Sequence, residues 1–277
     1  MRPRIGRRIS LNVLALIVVA CSVFPVYWMV LTAFKPTKDI QAETPSFLPT
    51  NVTFTHFGTA VNADGFWLFW RNSALVAVTA VLLALVVACL AAYAVARMKW
   101  RGRKQFILMV FIAQMTPWEA LLIPMYVIAR DTDMLDKLTM LTLIYFMVTL
   151  PFTIVTLRGF LKAIPIELEE AAQVDGCNQF QAFRRIVFPL LAPGLLSTSL
   201  FGFITAWNEF AFANLLIIKN QDQRTLPVWL SSFSNTFGTD WGATMAAATL
   251  FMLPVLLIFL VLQGRVTSGV AAGAVKG

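Results

Sequence analysis

The chain has 277 residues, 58% of them hydrophobic and only 13% charged, with a mean hydropathy of +0.74. A soluble globular domain carries roughly 25% charged residues, so this composition excludes one and specifies a protein that lives in lipid. The formal net charge of +8 reads as a membrane-topology signal, and nothing in its distribution calls for nucleic acid.

A membrane-crossing helix needs about 20 mostly apolar residues, and six stretches supply them: 11–33, 73–96, 105–129, 138–157, 190–217 and 243–263. Backbone amides find no water inside the hydrocarbon layer, and the period-2 alternation of a membrane barrel is missing. The expected fold is therefore all-α, one polytopic transmembrane domain over residues 1–277. The first span follows "RPRIGRR" and reaches Cys21, which imitates a lipoprotein signal. Apolar character nevertheless continues to Phe34, so a retained helix is expected. Cys21, Cys89 and Cys177 lack metal-ligand spacing, and a single histidine, His56, leaves no imidazole cluster for a metal or for catalysis.

With the N-terminus inside, 15 of the 22 Lys and Arg residues fall on the cytoplasmic side. That bias places both termini and the polar insert at 158–189 in the cytoplasm. The third and fifth spans carry polar groups where they are expensive, an ionised one costing at least ~2.5 kcal/mol at the bilayer centre. These are Gln114 and Glu119, then Asn208 and Glu209. At ~1.5 Å per residue along straight helices, both glutamates sit toward the outer half. They either line an outward-facing path or fix helix packing by hydrogen bonds. Trp118 and Trp207 beside them either stack on the ring of a solute or anchor the interface.

The insert "IELEEAAQVDGCNQFQAFRRIVFPLLAPG" (166–194) is too ordered for a solvated connector. Pro165 suits a first helical turn, and Glu167, Glu169 and Glu170 follow where the helix dipole favours acidic groups. Asp175-Gly176 ends that helix, and Asn178 caps a second. In the second, Phe180, Phe183 and Val187 are predicted to share one covered face, with Arg184 and Arg185 in its last turns. Adjacent Ala171 and Ala172 permit close approach of another backbone, which points to a protein partner.

Glu170-Ala171-Ala172, three residues, Gly176, nine residues, Ile186, two residues and Pro189 together resemble the EAA loop of permease subunits of bacterial ATP-binding-cassette importers. That resemblance implies a coupling helix docked on an ATPase subunit, with Glu170 as the acidic contact, Ala171 and Ala172 as the close-packing surface, and Asp175-Gly176 as the bend. "FWRNS", "AWNEFAFA" and the ending "SGVAAGAVKG" further resemble the carbohydrate-uptake branch, in particular the shorter permease of the maltose importer. From this follow the expected partners: a second related permease, two ATPase subunits that use ATP and Mg2+, and an extracytoplasmic sugar-binding protein. The chain itself is expected to bind no cofactor and to sit in the bacterial inner membrane. The resemblance also implies that outer loop 218–242 reaches the binding protein and that tail 268–277, within the cytoplasmic segment 264–277, enters the ATPase interface. One departure stands out: relatives often carry glycines near the start of the fourth span, where this chain has "DTDMLDKLTML" at 131–141.

Catalysis is not expected, since the Gly-x-x-x-x-Gly-Lys-Ser/Thr phosphate loop is missing and acid/base residues do not cluster. The rivals are the same machine carrying glycerol phosphates or polyols, and an ion-coupled secondary transporter, which leaves the insert unexplained.

Overall fold

The computed structural model describes residues 5–48, 51–235 and 238–274. In chain order its helices are α1 (Ile5–Phe34), α2 (Thr37–Ile40), α3 (Thr55–Val61), α4 (Phe66–Arg97), α5 (Arg103–Met115), α6 (Leu122–Asp131), α7 (Leu138–Ala163), α8 (Glu167–Val174), α9 (Gln179–Ala182), α10 (Phe188–Trp207), α11 (Ala211–Leu216), α12 (Leu226–Ser231) and α13 (Trp241–Ala274). The all-α expectation holds; the extended backbone among the described residues is a two-residue antiparallel contact, β1 (Ser234–Asn235) with β2 (Gly238–Thr239). Among the described residues, five helices are long and apolar enough to cross a membrane, and six if the bent pair 103–115 and 118–131 counts as one span. Packing divides the chain into two units: one runs through Trp67 and resumes at Trp229–Leu253, and the other comprises Leu68–Val228 and the residues from Pro254 on.

In the first unit, α1 leaves its apolar side chains from Leu11 to Tyr27 uncovered and buries its end, at Leu31, Thr32 and Ala33. Beyond that end, Lys35 donates to the Ser46 carbonyl at 2.5 Å and lies 4.5 Å over the Trp28 ring. His56 is buried, and its Nε2 donates to the Lys35 carbonyl at 3.0 Å. The lone imidazole is thus a tether between two chain segments. Gly242 lies against that ring so closely that a Cβ there would overlap it.

The second unit is built on small residues. Ala80, Ala84, Ala88 and Ala92 recur every fourth position of α4 and are all buried, the spacing that lets helices approach closely in lipid. On α10, an added Cβ at Gly202 would meet Val81 at 3.3 Å and Thr149 at 3.9 Å, and one at Gly194 would meet Phe160 at 2.7 Å. Asn72 and Ser73, from the "FWRNS" segment, tie the start of α4 to a distant strand of chain. Asn72 donates to the carbonyls of Asp222 and Arg224 at 2.7 and 3.0 Å, and Ser73 accepts from the Leu226 amide at 2.7 Å.

The third expected span is not straight. Its two halves meet at 88°, because Pro117 has no amide to continue the ladder and holds Thr116 extended at φ −69°, ψ 126°. Counting height along a straight helix therefore fails for Glu119, which lies past the bend.

The departure at 131–141 is resolved by two aspartates that take the backbone glycine usually takes. Asp133 (φ 53°) closes α6, with its own amide bonded to Arg130 and that of Met134 to Ala129. Asp136 (φ 60°) turns its carboxylate onto the amides of Ile218, Lys219 and Asn220 at 2.6, 2.7 and 3.1 Å. Partial burial works to raise its pKa, but these three amides and the Lys219 charge outweigh it and hold the carboxyl below its ordinary 3.8.

Two outcomes follow from this packing. Gly242→Ala should cost about 1–3 kcal/mol of stability through overpacking against the His56 ring, read as an earlier thermal unfolding midpoint in detergent. The double variant with His56→Ala should lose less than the sum of the two singles. Since the Asp136 pKa is lowered on folding, its tie is present above the ordinary carboxylate range and is lost as pH falls through the lower, folded value. Asp136→Gly suits the backbone but removes the acceptor, so amide exchange at 218–220 should quicken by about tenfold at neutral pH; unchanged exchange would show that the carboxylate holds nothing there.

Candidate functional site

The polar insert folds as an elbow. Helix α8 closes with the Gly176 amide bonded to Gln173 and the Cys177 amide to Ala172, and Gly176 at φ 89° is the left-handed residue this closure needs. Asn178 then caps α9: its side chain accepts from the Gln181 amide at 2.9 Å, and the Gln181 side chain accepts from the Asn178 amide at 2.9 Å. A π-helical turn at Phe183–Val187 joins α9 to α10. That turn widens the helix and shifts its phase, which corrects the expected shared face. Val187 is fully buried and Phe183 half-buried, while Phe180 is 70% exposed beside a groove of about 450 Å3 that Tyr93, Met98 and Phe183 help to line.

The elbow has two faces. Glu170, Ala171, Val174, Asp175 and Gly176 are exposed, whereas Glu169 and Ala172 are buried. Of the two alanines expected to meet a partner, Ala171 faces outward and Ala172 packs within its own chain. Ile186 is half-buried and Pro189 exposed. Beneath the elbow, Val187 and Leu191 join Ala88, Cys89, Leu157 and Leu161 in one apolar cluster, so the elbow sits directly on α4 and α7.

Sequence reasoning singles out Glu170 and passes over its neighbour. Glu169 Oε1 accepts from Arg97 Nε at 2.5 Å, and Oε2 accepts from the Tyr93 hydroxyl at 3.0 Å. Arg97 also donates through Nη2 to the Ile164 carbonyl at 2.8 Å. Side chains of Arg97 and Glu169 are 9% and 5% exposed. A signal was present: on a helix, 169 and 172 share a face that 170, 171 and 174 do not. Arg97 is concealed because, in the sequence, it is one of a run of basic residues that topology alone explains.

The five residues expected along a translocation path do not converge. Gln114, on α5, and Glu119, in the 3-10 turn at Trp118–Leu121, flank the 88° bend and are exposed, as is Asn208. Trp207 is buried against Phe203 and Trp70, with centroids 5.4 and 6.1 Å away. Glu209 is buried as well, and its carboxyl is committed to the chain. Oε1 accepts from the Phe212 amide at 2.8 Å, and Oε2 accepts from the Ala213 amide at 3.2 Å and the Tyr145 hydroxyl at 2.5 Å. It thereby satisfies the first amides of α11, which the break after α10 would leave orphaned. The space beside it, lined by Trp118, Tyr145 and Thr149, is about 10 Å3, room for no more than about one water. Glu209 is thus packed and committed to the chain, Trp207 is buried among aromatic rings, and the other three are exposed.

Known proteins give the arrangement its context. The chain is 53% identical over 277 residues to the diacetylchitobiose uptake system permease protein DasC of Streptomyces coelicolor, covering 100% of both. To the trehalose transport system permease protein SugB of Mycobacterium tuberculosis it is 33% identical over 267 residues, covering 96% of each. Its fold matches a chain in the crystal structure of a bacterial ABC transporter involved in import of the acidic polysaccharide alginate, with a TM-score of 0.81 at 22% identity, over 95% of this chain and 98% of that one. The resemblance carried by residues 170–189 is borne out: residues 80–271 match the model for the binding-protein-dependent transport system inner membrane component, and the chain belongs to that family.

Proposed function

We propose that this chain is a permease subunit of an ATP-driven, binding-protein-dependent importer for di- or oligosaccharides. The cargo rests on the full-length likeness to permeases named for diacetylchitobiose and trehalose, both disaccharides; that likeness favours sugars over glycerol phosphates or polyols. The mechanism rests on one observation, the two-faced elbow, whose outer face presents Glu170 and Ala171 while its inner face is fixed to α4 and α7.

In this reading the elbow and both termini lie in the cytoplasm, as the Lys and Arg distribution directs. Two ATPase subunits bind and hydrolyse ATP with Mg2+, and this chain binds no cofactor and catalyses no reaction. A second permease completes the path, and an extracytoplasmic binding protein delivers solute at the 218–242 loop. The 268–277 tail, expected to enter the ATPase interface, lies outside the described residues except for its backbone through Ala274. When the ATPase subunits close on ATP, they carry the elbow with them, and the helices packed on it exchange inward-open for outward-open packing. Gln114, Glu119 and Asn208 contribute polar groups to the path. A broken span with polar residues at the break suits that role, because irregular backbone at membrane depth is tolerated where it faces a cavity or protein.

Glu170→Lys reverses an exposed charge, and Gly176→Pro forbids the left-handed turn. Either should abolish uptake in cells while the subunit still inserts in the membrane. Normal uptake by both variants would sink the coupling reading.

A further inference from the structure

We infer that Arg97, Tyr93 and Glu169 form a clamp through which movement of the elbow is delivered to α4, with Glu169 as its positioning residue. The inference rests on the coupling role proposed for the elbow and assigns the route by which its motion enters the membrane.

The apolar cluster under the elbow resists compression but transmits a pull or a twist poorly, since dispersion contacts are weak singly and lack direction. A directional joint needs hydrogen bonds, and the clamp has three. Arg97 Nε and the Tyr93 hydroxyl occupy one Glu169 oxygen each, and Arg97 Nη2 reaches the Ile164 carbonyl. Arg97 is the last residue of α4, where the dipole favours a cation, and Glu169 lies in the first turn of α8, where it favours an anion. The Tyr93 ring also meets Phe183 edge-on at 4.9 Å. One residue of α4 thus touches both arms of the elbow, and the next helical turn holds the link from α7 to α8. Glu170 beside it stays exposed, so one residue step on α8 separates the face a partner grips from the face that holds α4.

Replacing both ions by apolar groups is often neutral for stability, whereas removing one leaves a buried unpaired charge. This asymmetry lets coupling be separated from folding. The test uses the complete importer in liposomes, with a disaccharide that the unmodified complex takes up, diacetylchitobiose first, and reads solute imported per ATP hydrolysed. Poor assembly lowers both rates together; lost coupling lowers the ratio. In Arg97→Met/Glu169→Leu the ratio should fall by about tenfold. Arg97→Lys, which keeps the charge but gives up the fork to Ile164, should fall in between, with Glu169→Gln beside it. An unchanged ratio in the apolar pair overturns the clamp, as do unchanged ratios in both conservative variants should that pair fail to assemble. Glu170→Lys run alongside separates the two ideas. If it and Gly176→Pro both import normally, the coupling reading itself fails; if Glu170→Lys is inactive while the clamp variants keep the parental ratio, only the clamp fails.

Discussion

A carboxylate withdrawn from water needs other donors in the water's place, and at the foot of α4 the replacement is nearly complete. Glu169 is 4% exposed and receives donors on both oxygens, one of them a guanidinium. Desolvating two ions costs several kcal/mol each, and their attraction offsets this only when geometry and remaining hydrogen bonds are good. Here the ends of two helices add favourable dipoles of about 0.3–1 kcal/mol each. A buried ion pair is weak evidence of stability, and the arrangement is better understood as fixing position. An apolar pair would hold α8 near α4 without fixing their angle or register.

The same constraint explains the other polar residues that stand out in this oily chain. Wherever a helix stops in apolar surroundings, its end amides or carbonyls lose their partners. Glu209 supplies acceptors at the break between α10 and α11, Asn72 supplies donors to the chain at 222–224, and Asp136 gathers three amides at 218–220. Of these, Glu209 is by sequence a candidate for solute contact, and its carboxyl is taken up in closing the backbone. Glu209 and Asn72 are sealed in and Asp136 is half-buried, while Gln114, Glu119 and Asn208 are exposed.

Much of this was legible beforehand, for identifiable reasons. Long apolar runs admit only helices in lipid, so the all-α fold followed from composition, and the elbow followed from Gly176 and Asn178, whose backbone and side-chain chemistry is local. What escaped was either non-local or a change of phase. The bend at Thr116-Pro117 interrupts an apolar run that reads as continuous. The π-turn at 183–187 rotates Phe180 away from Val187, which no fixed period anticipates. Arg97 and Glu169 lie 72 residues apart, and neither carries a mark of its partner. The aspartates at 133 and 136 show the opposite case, where an unexpected residue type still takes the expected backbone at some cost in strain.

Exposure inside the membrane finally argues for company. The large apolar side chains of α1 between Leu11 and Tyr27 are uncovered, which lipid or another apolar helix satisfies equally well. Gln114, Glu119 and Asn208 are uncovered and polar, which lipid does not satisfy: an ionised group at the bilayer centre costs at least ~2.5 kcal/mol, and a neutral amide still needs partners. Asn208 meets part of that need by donating to the Ile204 carbonyl at 2.9 Å, yet its remaining donor and acceptor capacity, and all of Glu119's carboxyl, require water or protein. One chain that exposes such groups beside an 88° break does not make a closed path alone. Under the proposed function, a second permease set against this surface would enclose these three groups and supply the water or protein contacts they need.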